Sequence, residues 1–403
     1  MSGAGSAGSG GEIRLKLFGR TDVGQIREHN EDNFLIADLT RKSRGLMEAD
    51  REQVVGACGS VFAVCDGMGG AAAGEVASRL ANDIIYEKML TGGCPQNRDI
   101  LARRLVMTVE EAGLRIFNEA RADRTRRGMG TTATVATLLD SRLFIAQVGD
   151  SRAYLLRGEQ LVQVTRDQSL VNQLIEAGQL TEEEAETFEH NNIILQALGT
   201  AETVQVDLTH VDLRRGDVLV MCSDGLSGMI RADDIRQVVL SVPDPLEACK
   251  VLTDRANQAG GHDNITVIVV RFEGEGVEAS QEGDEPVKYK KYALPQGTSA
   301  NDSTLRPGGF SMPPSGPAEA SPLSEEAERE SRPLRVGHTM VGMMSPLAAG
   351  GSGAPMARAS GAPGARTDEP VNLPTSGLPP SVVGFIVVGA FLLVVAMGFW
   401  LLR

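Results

Sequence analysis

The stretch Val61-Phe62-Ala63-Val64-Cys65-Asp66-Gly67-Met68-Gly69-Gly70 starts with five apolar residues and stops on a carboxylate, followed by residues with almost no side chain. A short apolar run bounded by a turn signal reads as a buried strand. Its ending has two explanations. Asp-Gly is a favoured turn dipeptide. Alternatively, the strand delivers a carboxylate to a site, and the glycines leave room for a ligand.

The same ending recurs. Asp224 closes the apolar run of Val-Met-Cys-Ser-Asp-Gly-Leu-Ser, and Asp263 opens the run Asp-Asn-Ile-Thr-Val-Ile-Val-Val. If those two strands pair antiparallel, the end of one and the start of the other share a sheet edge, with both carboxylates on it. Asp66 can join them from a neighbouring strand, and Asp32 precedes another short apolar run. Each acid taken alone fits a turn, a cap or a surface charge. Gathered together, carboxylates repel and raise one another's pKa unless a cation compensates. Hard oxygen ligands without His or Cys select Mg²⁺ or Mn²⁺. Two such ions can hold a bridging hydroxide and clamp a phosphoryl group. Arg27, five residues before Asp32, is either a surface charge or a bidentate phosphate clamp.

The composition narrows the class. The 403 residues carry a formal charge of −14, which argues against a general nucleic-acid binder. The five histidines lack metal-ligand spacing, so zinc is not expected. The five cysteines form no C-x-x-C pair, so we expect a reducing compartment and no disulfide framework. Residues 1–11 have no charged start and no apolar core, and read as a flexible leader, not a signal peptide.

Periodic segments fill 12–273. Ala71–Leu90, Asp99–Arg121 and Pro245–Ala259 read as helices, and Leu170–Gly178 and Thr181–His190 as a helix pair, with a Thr181/Glu184 capping box on the second. Ser141–Thr165 reads as three strands joined at Gly149-Asp150-Ser151 and Gly158-Glu159. Residues 274–380 turn rich in Gly, Pro, Ser, Ala and Glu and are expected to be a disordered linker, holding a small apolar island at 336–344. Residues 382–402 are apolar and uncharged. They are long enough to span about 30 Å as a helix, with Trp400 and Arg403 at the end as interface anchors. We expect one C-terminal transmembrane anchor in the cytoplasmic membrane, with the large domain facing the cytoplasm.

Six motifs occur in a set order. They are Thr21-Asp22-x-Gly24-x-x-Arg27-x-x-Asn30-Glu31-Asp32, Asp66-Gly67-Met68-Gly69-Gly70, Gly128-Met129-Gly130-Thr131-Thr132, Gly149-Asp150-Ser151-Arg152, Ser223-Asp224-Gly225-Leu226 and Asp263-Asn264-Ile265-Thr266. Together they resemble the metal-dependent serine/threonine protein phosphatases of the PPM (type 2C) family, bacterial branch, over about Ile13 to Phe272. The resemblance implies an α+β fold, a four-layer α-β-β-α sandwich of two antiparallel sheets flanked by helix pairs. It also implies two Mn²⁺ or Mg²⁺ ions at one edge. Asp66 would bridge the ions, the Gly67 carbonyl would join one of them, and Asp224 and Asp263 would complete a site. Asp32 would lie behind the metals or hold metal-bound water. Arg27 would bind the substrate phosphate, and Asp150 and Asp167 would lie near a third, weaker ion.

The chain departs from the family in two places. Met68 stands where many eukaryotic members have His, which leaves protonation of the leaving group to metal-bound water. Asp123 is about two positions from where bacterial members often carry an acid before Gly-Met-Gly-Thr-Thr; the surrounding Arg124-Thr125-Arg126-Arg127 would make a basic rim. The function expected is hydrolysis of phosphoserine and phosphothreonine in proteins, opposing Ser/Thr kinases, by a monomeric catalytic domain. The alternative is a catalytically weak phosphoprotein-binding module, or one dedicated to a single partner, tethered to the membrane.

Overall fold

The computed structural model describes residues 11–45, 51–69, 73–186, 188, 192–281 and 284–295. The chain divides into two units, 1–313 and 314–403, and every described residue belongs to the first. The leader up to residue 10, the 336–344 island and the 382–402 segment lie outside the described residues. Among the described residues, no helix is long and apolar enough to cross a membrane.

In chain order the elements are β1 (Arg14–Asp22), β2 (Asn33–Asp38), β3 (Ser43–Arg44), β4 (Glu52–Val54), β5 (Ser60–Cys65), β6 (Gly67–Met68), α1 (Ala73–Leu90) and α2 (Arg98–Ala122). After a short 3₁₀ turn at Arg124–Arg126 come β7 (Gly130–Thr131), β8 (Ala133–Leu139), β9 (Arg142–Val148), β10 (Arg152–Arg157), β11 (Gln160–Gln163), α3 (Leu170–Glu176), α4 (Glu182–Glu186) and β12 (Asp207–Asp212). The domain continues with β13 (Val218–Cys222), α5 (Asp224–Ser227), α6 (Ala232–Ser241), α7 (Pro245–Gln258) and β14 (Ile265–Glu273).

Two six-stranded antiparallel sheets form, in the orders β11-β10-β13-β14-β1-β4 and β12-β9-β8-β5-β2-β3. Side-chain alternation shows why they stack. In β5, Val61, Ala63 and Cys65 face helices α1 and α2, while Phe62 and Val64 face the other sheet. In β14, Ile268, Val270 and Phe272 meet them in the middle layer, and Ile265, Val267 and Val269 pack under α6 and α7. Strands buried on both faces can be apolar throughout, so the period-two signal fades in them. The result is the expected four-layer mixed fold. The Thr181/Glu184 capping box also forms: the Glu184 amide donates to Thr181 Oγ1 at 3.2 Å and the Thr181 amide to Glu184 Oε2 at 2.9 Å.

Three expectations change. First, the strands on either side of Gly149-Asp150-Ser151 do not pair with each other. β9 belongs to one sheet and β10 to the other, so the turn is a crossover between layers and not a hairpin.

Second, Cys58 and Cys94 are joined by a disulfide, against the expectation of none. α1 returns along the helix-facing side of β5 and brings the residue before the strand next to the residue beyond the helix. Cys65, Cys222 and Cys249 are free and buried.

Third, the chain does not leave the domain at Glu273. Val277 is fully buried, and Arg215 pairs with Ala279. Residues 290–292 then run beside the edge strand β12: the His210 amide donates to the Lys290 carbonyl at 3.2 Å and the Tyr292 amide to the Leu208 carbonyl at 2.8 Å. The Tyr292 ring stands edge-on to Phe144, 5.0 Å between centroids. The first part of the expected linker is therefore an edge-covering strap, and the rest lies outside the described residues. Composition hid it, because a few apolar residues among Gly and Glu suffice when a waiting sheet edge supplies the hydrogen bonds.

Candidate functional site

One edge of the sandwich collects the acids. β13 and β14 are antiparallel neighbours, with Cys222 opposite Val267, so Asp224 and Asp263 lie at the same end, as their spacing predicts. Asp66 comes from β5 in the opposite sheet and not from a neighbouring strand, and Asp32 precedes β2, the partner of β5. The site therefore spans the gap between the two layers. Asp150 reaches it from the crossover turn.

Each acid is held by its backbone. The Asp66 amide donates to Thr132 Oγ1 at 2.9 Å, and its carbonyl accepts from the Thr132 amide at 2.8 Å and Thr131 Oγ1 at 2.9 Å. Gly67 is required: a Cβ there would sit 2.3 Å from the Gly74 carbonyl oxygen and 2.5 Å from that of Glu31. Asp224 opens α5, which Gly225 lets approach Asn264; a Cβ on Gly225 would be 2.0 Å from the Asn264 carbonyl oxygen. Asp263 Oδ2 accepts from Arg27 Nη2 at 2.7 Å. Arg27 is exposed and keeps further N–H donors for a ligand.

Some supporting residues, four of them inside the six motifs, receive no role from the sequence alone. Asn264 fastens the loop carrying Arg27 and Asp32: its Nδ2 donates to the Val23 and His29 carbonyls, both at 2.9 Å, and its Oδ1 accepts from the Glu31 amide at 2.7 Å. Ser223 Oγ donates to Asp32 Oδ2 at 2.7 Å. Behind Asp66, Thr132 Oγ1 and Ser151 Oγ are 2.7 Å apart, and Gln147 Nε2 donates to the Ser151 carbonyl at 2.6 Å. Gln168 Oε1 accepts from the Gly149 amide at 3.0 Å and ties this network to the segment before α3. The signal for Asn264 and Ser223 was their adjacency to Asp263 and Asp224. Gln147 and Gln168 left none.

The electrostatics are those of crowded carboxylates. Burial pushes the Asp32 carboxyl up to about 7, with Asp224 and Asp263 adding to the rise and hydrogen bonds from Ser223 and Thr266 opposing it. Burial, then the charges of Asp224 and Asp167, push Asp150 up to about 8. Asp66 is raised well above the usual range, first by burial and then by Asp32, Asp224 and Asp150. Asp224 is raised by burial and by Asp263. Asp167 is different. Arg152 Nε and Gln163 Nε2 donate to its two oxygens at 2.8 and 2.7 Å, so it is engaged in an ion pair beside the cluster.

Do these residues suit a metal? Among the described residues, no three His, Cys, Asp or Glu side chains already close around a common point. The carboxylates nonetheless lie near enough to raise one another's pKa. Asp32 Oδ1, Asp150 Oδ1 and Asp224 Oδ1 are also buried without a hydrogen-bond partner. Buried acceptors left unsatisfied are costly. An all-oxygen set with spare lone pairs and excess negative charge fits a hard divalent cation.

Comparison with known proteins decides the family. Residues 40–258, more than half of the chain, match the protein phosphatase 2C family. The chain belongs to that family. The matched span contains Asp66, Asp150 and Asp224, while Arg27, Asp32 and Asp263 lie outside it and are brought to the edge by the fold. The serine/threonine phosphatase stp of Listeria innocua is 36% identical over 251 residues, covering 62% of this chain and 93% of its own. The crystal structure of the Mycobacterium tuberculosis serine/threonine phosphatase PstP/Ppp superposes with a TM-score of 0.56 at 33% identity, covering 64% of this chain and 99% of that one. The catalytic domain of PstP in complex with two manganese ions gives 0.54 at 32% identity, covering 65% and 99%.

Proposed function

We infer that the protein removes phosphate from phosphoserine and phosphothreonine in proteins and so opposes Ser/Thr kinases. The observation that carries this is the carboxylate edge with its orphaned oxygens, set in a chain of the protein phosphatase 2C family. Asp66, the Gly67 carbonyl, Asp224 and Asp263 are our candidates to hold two Mn²⁺ or Mg²⁺ ions. Asp32 would support them from behind through Ser223, and Asp150 is the candidate for a third ion. When bound, divalent ions offset the clustered charge, lower the pKa of a bound water and draw charge from the phosphoryl oxygens.

The chain's own groups do the rest. The Arg27 guanidinium, oriented by Asp263, offers parallel donors to two phosphate oxygens. Thr131 and Thr132 fix the Asp66 main chain, so its carboxylate is presented without a reorganisation cost. Met68 has no proton to give, so the departing Ser or Thr oxygen takes its proton from water at the open edge. The test is hydrolysis of an aryl phosphate and of phosphothreonine peptides by the full-length chain with Mn²⁺. A folded protein that processes neither overturns the reading.

The raised carboxylates set a pH dependence. In the ion-free protein, Asp32 and Asp150 hold protons up to about pH 7 and 8, whereas in the unfolded chain they release them near pH 4. The folded state thus binds more protons between these limits, and its stability falls as pH rises through that window. Asp22 and Asp212, whose pKa values are lowered, contribute only below about pH 4. His210 opposes the trend, as one group against several. With chelator, the melting temperature should be lower at pH 8 than at pH 5.5 by on the order of 5 °C, and Mn²⁺ should raise it more at pH 8. Equal Mn²⁺ effects at both pH values would contradict this.

The uncharged run at 382–402 supports a membrane tether. Deleting 382–403 should leave aryl phosphate hydrolysis unchanged and move the protein from the membrane pellet to the supernatant. Continued sedimentation with membranes would refute the tether.

A further inference from the structure

The turn before β7 carries four basic or hydroxyl side chains in a row, Arg124-Thr125-Arg126-Arg127, in a chain of net charge −14. Its position is fixed. The Arg126 amide donates to the Asp123 carbonyl at 3.0 Å and the Met129 amide to the Arg126 carbonyl at 3.1 Å, and the Met129 side chain is fully buried. The turn lies against the catalytic edge: a Cβ on Gly69 would sit 3.2 Å from Met129 Cα, and Gly130 and Thr131 pair with Met68 and Gly67. Arg127 is three residues from that ribbon, at most about 10 Å of chain.

The three arginines are not equivalent. Arg126 is tied to Glu119 and, at 3.4 Å, to Asp123. Asp123 is in turn occupied by the Thr125 amide at 2.9 Å and Thr125 Oγ1 at 2.7 Å, so it closes its own turn. Arg124 and Arg127 are exposed, and no acidic partner is found for either among the described residues. Exposed arginines elsewhere differ: Arg41 and Arg44 pair with Asp38 and Asp83, while Arg103 and Arg215 donate to main-chain carbonyls.

We propose that Arg124 and Arg127 form a cationic rim that selects phosphoprotein segments bearing anionic side chains within about four residues of the phosphoserine or phosphothreonine. The proposal rests on the phosphatase reading above. Guanidinium groups suit both carboxylates and a further phosphate, through the same paired donors. The Arg27 clamp serves the phosphate under attack, and the rim serves its neighbours.

The test compares the full-length chain with R124E/R127E and R124K/R127K, all with Mn²⁺. The substrates are phosphothreonine peptides with glutamate flanks, with a second phosphothreonine, and with alanine flanks, beside an aryl phosphate that has no flanks. The wild type should favour both anionic peptides over the neutral one by about five-fold or more in kcat/KM, chiefly through KM, and salt should erode the preference. Charge reversal should abolish or invert the preference and leave aryl phosphate hydrolysis within about two-fold, while the lysine pair keeps part of it. A preference for only one anionic peptide assigns the rim to carboxylates or to a second phosphate. An identical anionic-to-neutral ratio in wild type and R124E/R127E overturns the proposal. So does a matching loss on the aryl phosphate, which would mean the turn steers any phosphate or shapes the edge. No activity of the wild type on any substrate would instead overturn the phosphatase reading.

Discussion

Asp224→Asn should lower phosphothreonine-peptide hydrolysis about 10³-fold while leaving the ion-free protein as stable as the wild type or more so. Asn keeps the volume and one carbonyl oxygen but loses the charge. The oxygen at stake, Asp224 Oδ1, is buried without a partner, and its carboxylate lies where Asp66 and Asp263 converge. Losing one anionic ligand should remove about 4 kcal/mol of transition-state stabilisation, which is the stated factor in rate. The stability effect has the opposite sign. A carboxylate whose pKa is raised by burial and by its neighbours destabilises the folded protein above pH 4, so neutralising it relieves that repulsion. The two readouts are kcat/KM with Mn²⁺ and the melting temperature with chelator at pH 8. Lost activity with lost stability would make Asp224 a structural residue, and retained activity would remove it from the site.

The second large effect is expected from the strap. A domain ending at residue 273 should melt about 10 °C below one ending at residue 295. Truncation uncovers the hydrogen-bonding edge of β12 at His210 and Leu208, and removes Val277, Val287 and Tyr292 from their apolar contacts. It also strips Tyr289 from Asp207 and Tyr292 from Asp99, and the Pro295 carbonyl from Arg103 Nη2 at 3.0 Å. Burial of two valines and a tyrosine stabilises by roughly 4–5 kcal/mol, which for a domain of this size moves the midpoint by about 10 °C. Equal midpoints would show that 274–295 only rests on the surface. The consequence is practical: assays on a soluble domain should use the longer boundary, so that a loss of activity is not mistaken for a loss of chemistry.

How far the amino-acid pattern reached is clearest at the four strand-end acids. Asp224 and Asp263 were brought to one edge by simple antiparallel logic, because a strand's end and its partner's start coincide. Asp66 illustrates the limit. Strand order within a sheet is local, but which sheet a strand joins depends on the packing of whole layers, and nothing within 61–65 states it. The same holds at Gly149-Asp150-Ser151, where a turn-forming sequence serves a crossover as readily as a hairpin. Gln147 and Gln168 were illegible for another reason: a buried amide matters through partners distant in the chain, and its own position carries no pattern. Only the family resemblance points to Asp167, and its ion pair with Arg152 depends on β10 lying beside it. The strap and the Cys58–Cys94 bridge went unseen because both are made by tertiary proximity, against the drift of local composition.

The central claim is that the carboxylate edge works only with divalent cations and acts on phosphorylated Ser and Thr. It is tested most directly by the full-length chain's hydrolysis of a phosphothreonine peptide with Mn²⁺, with Mg²⁺, with Ca²⁺ and with chelator. The account predicts turnover with Mn²⁺ or Mg²⁺, abolished by chelator and restored when the ion is returned in excess. Hydrolysis that persists undiminished in chelator, or a folded protein that stays inert with every ion, would contradict it.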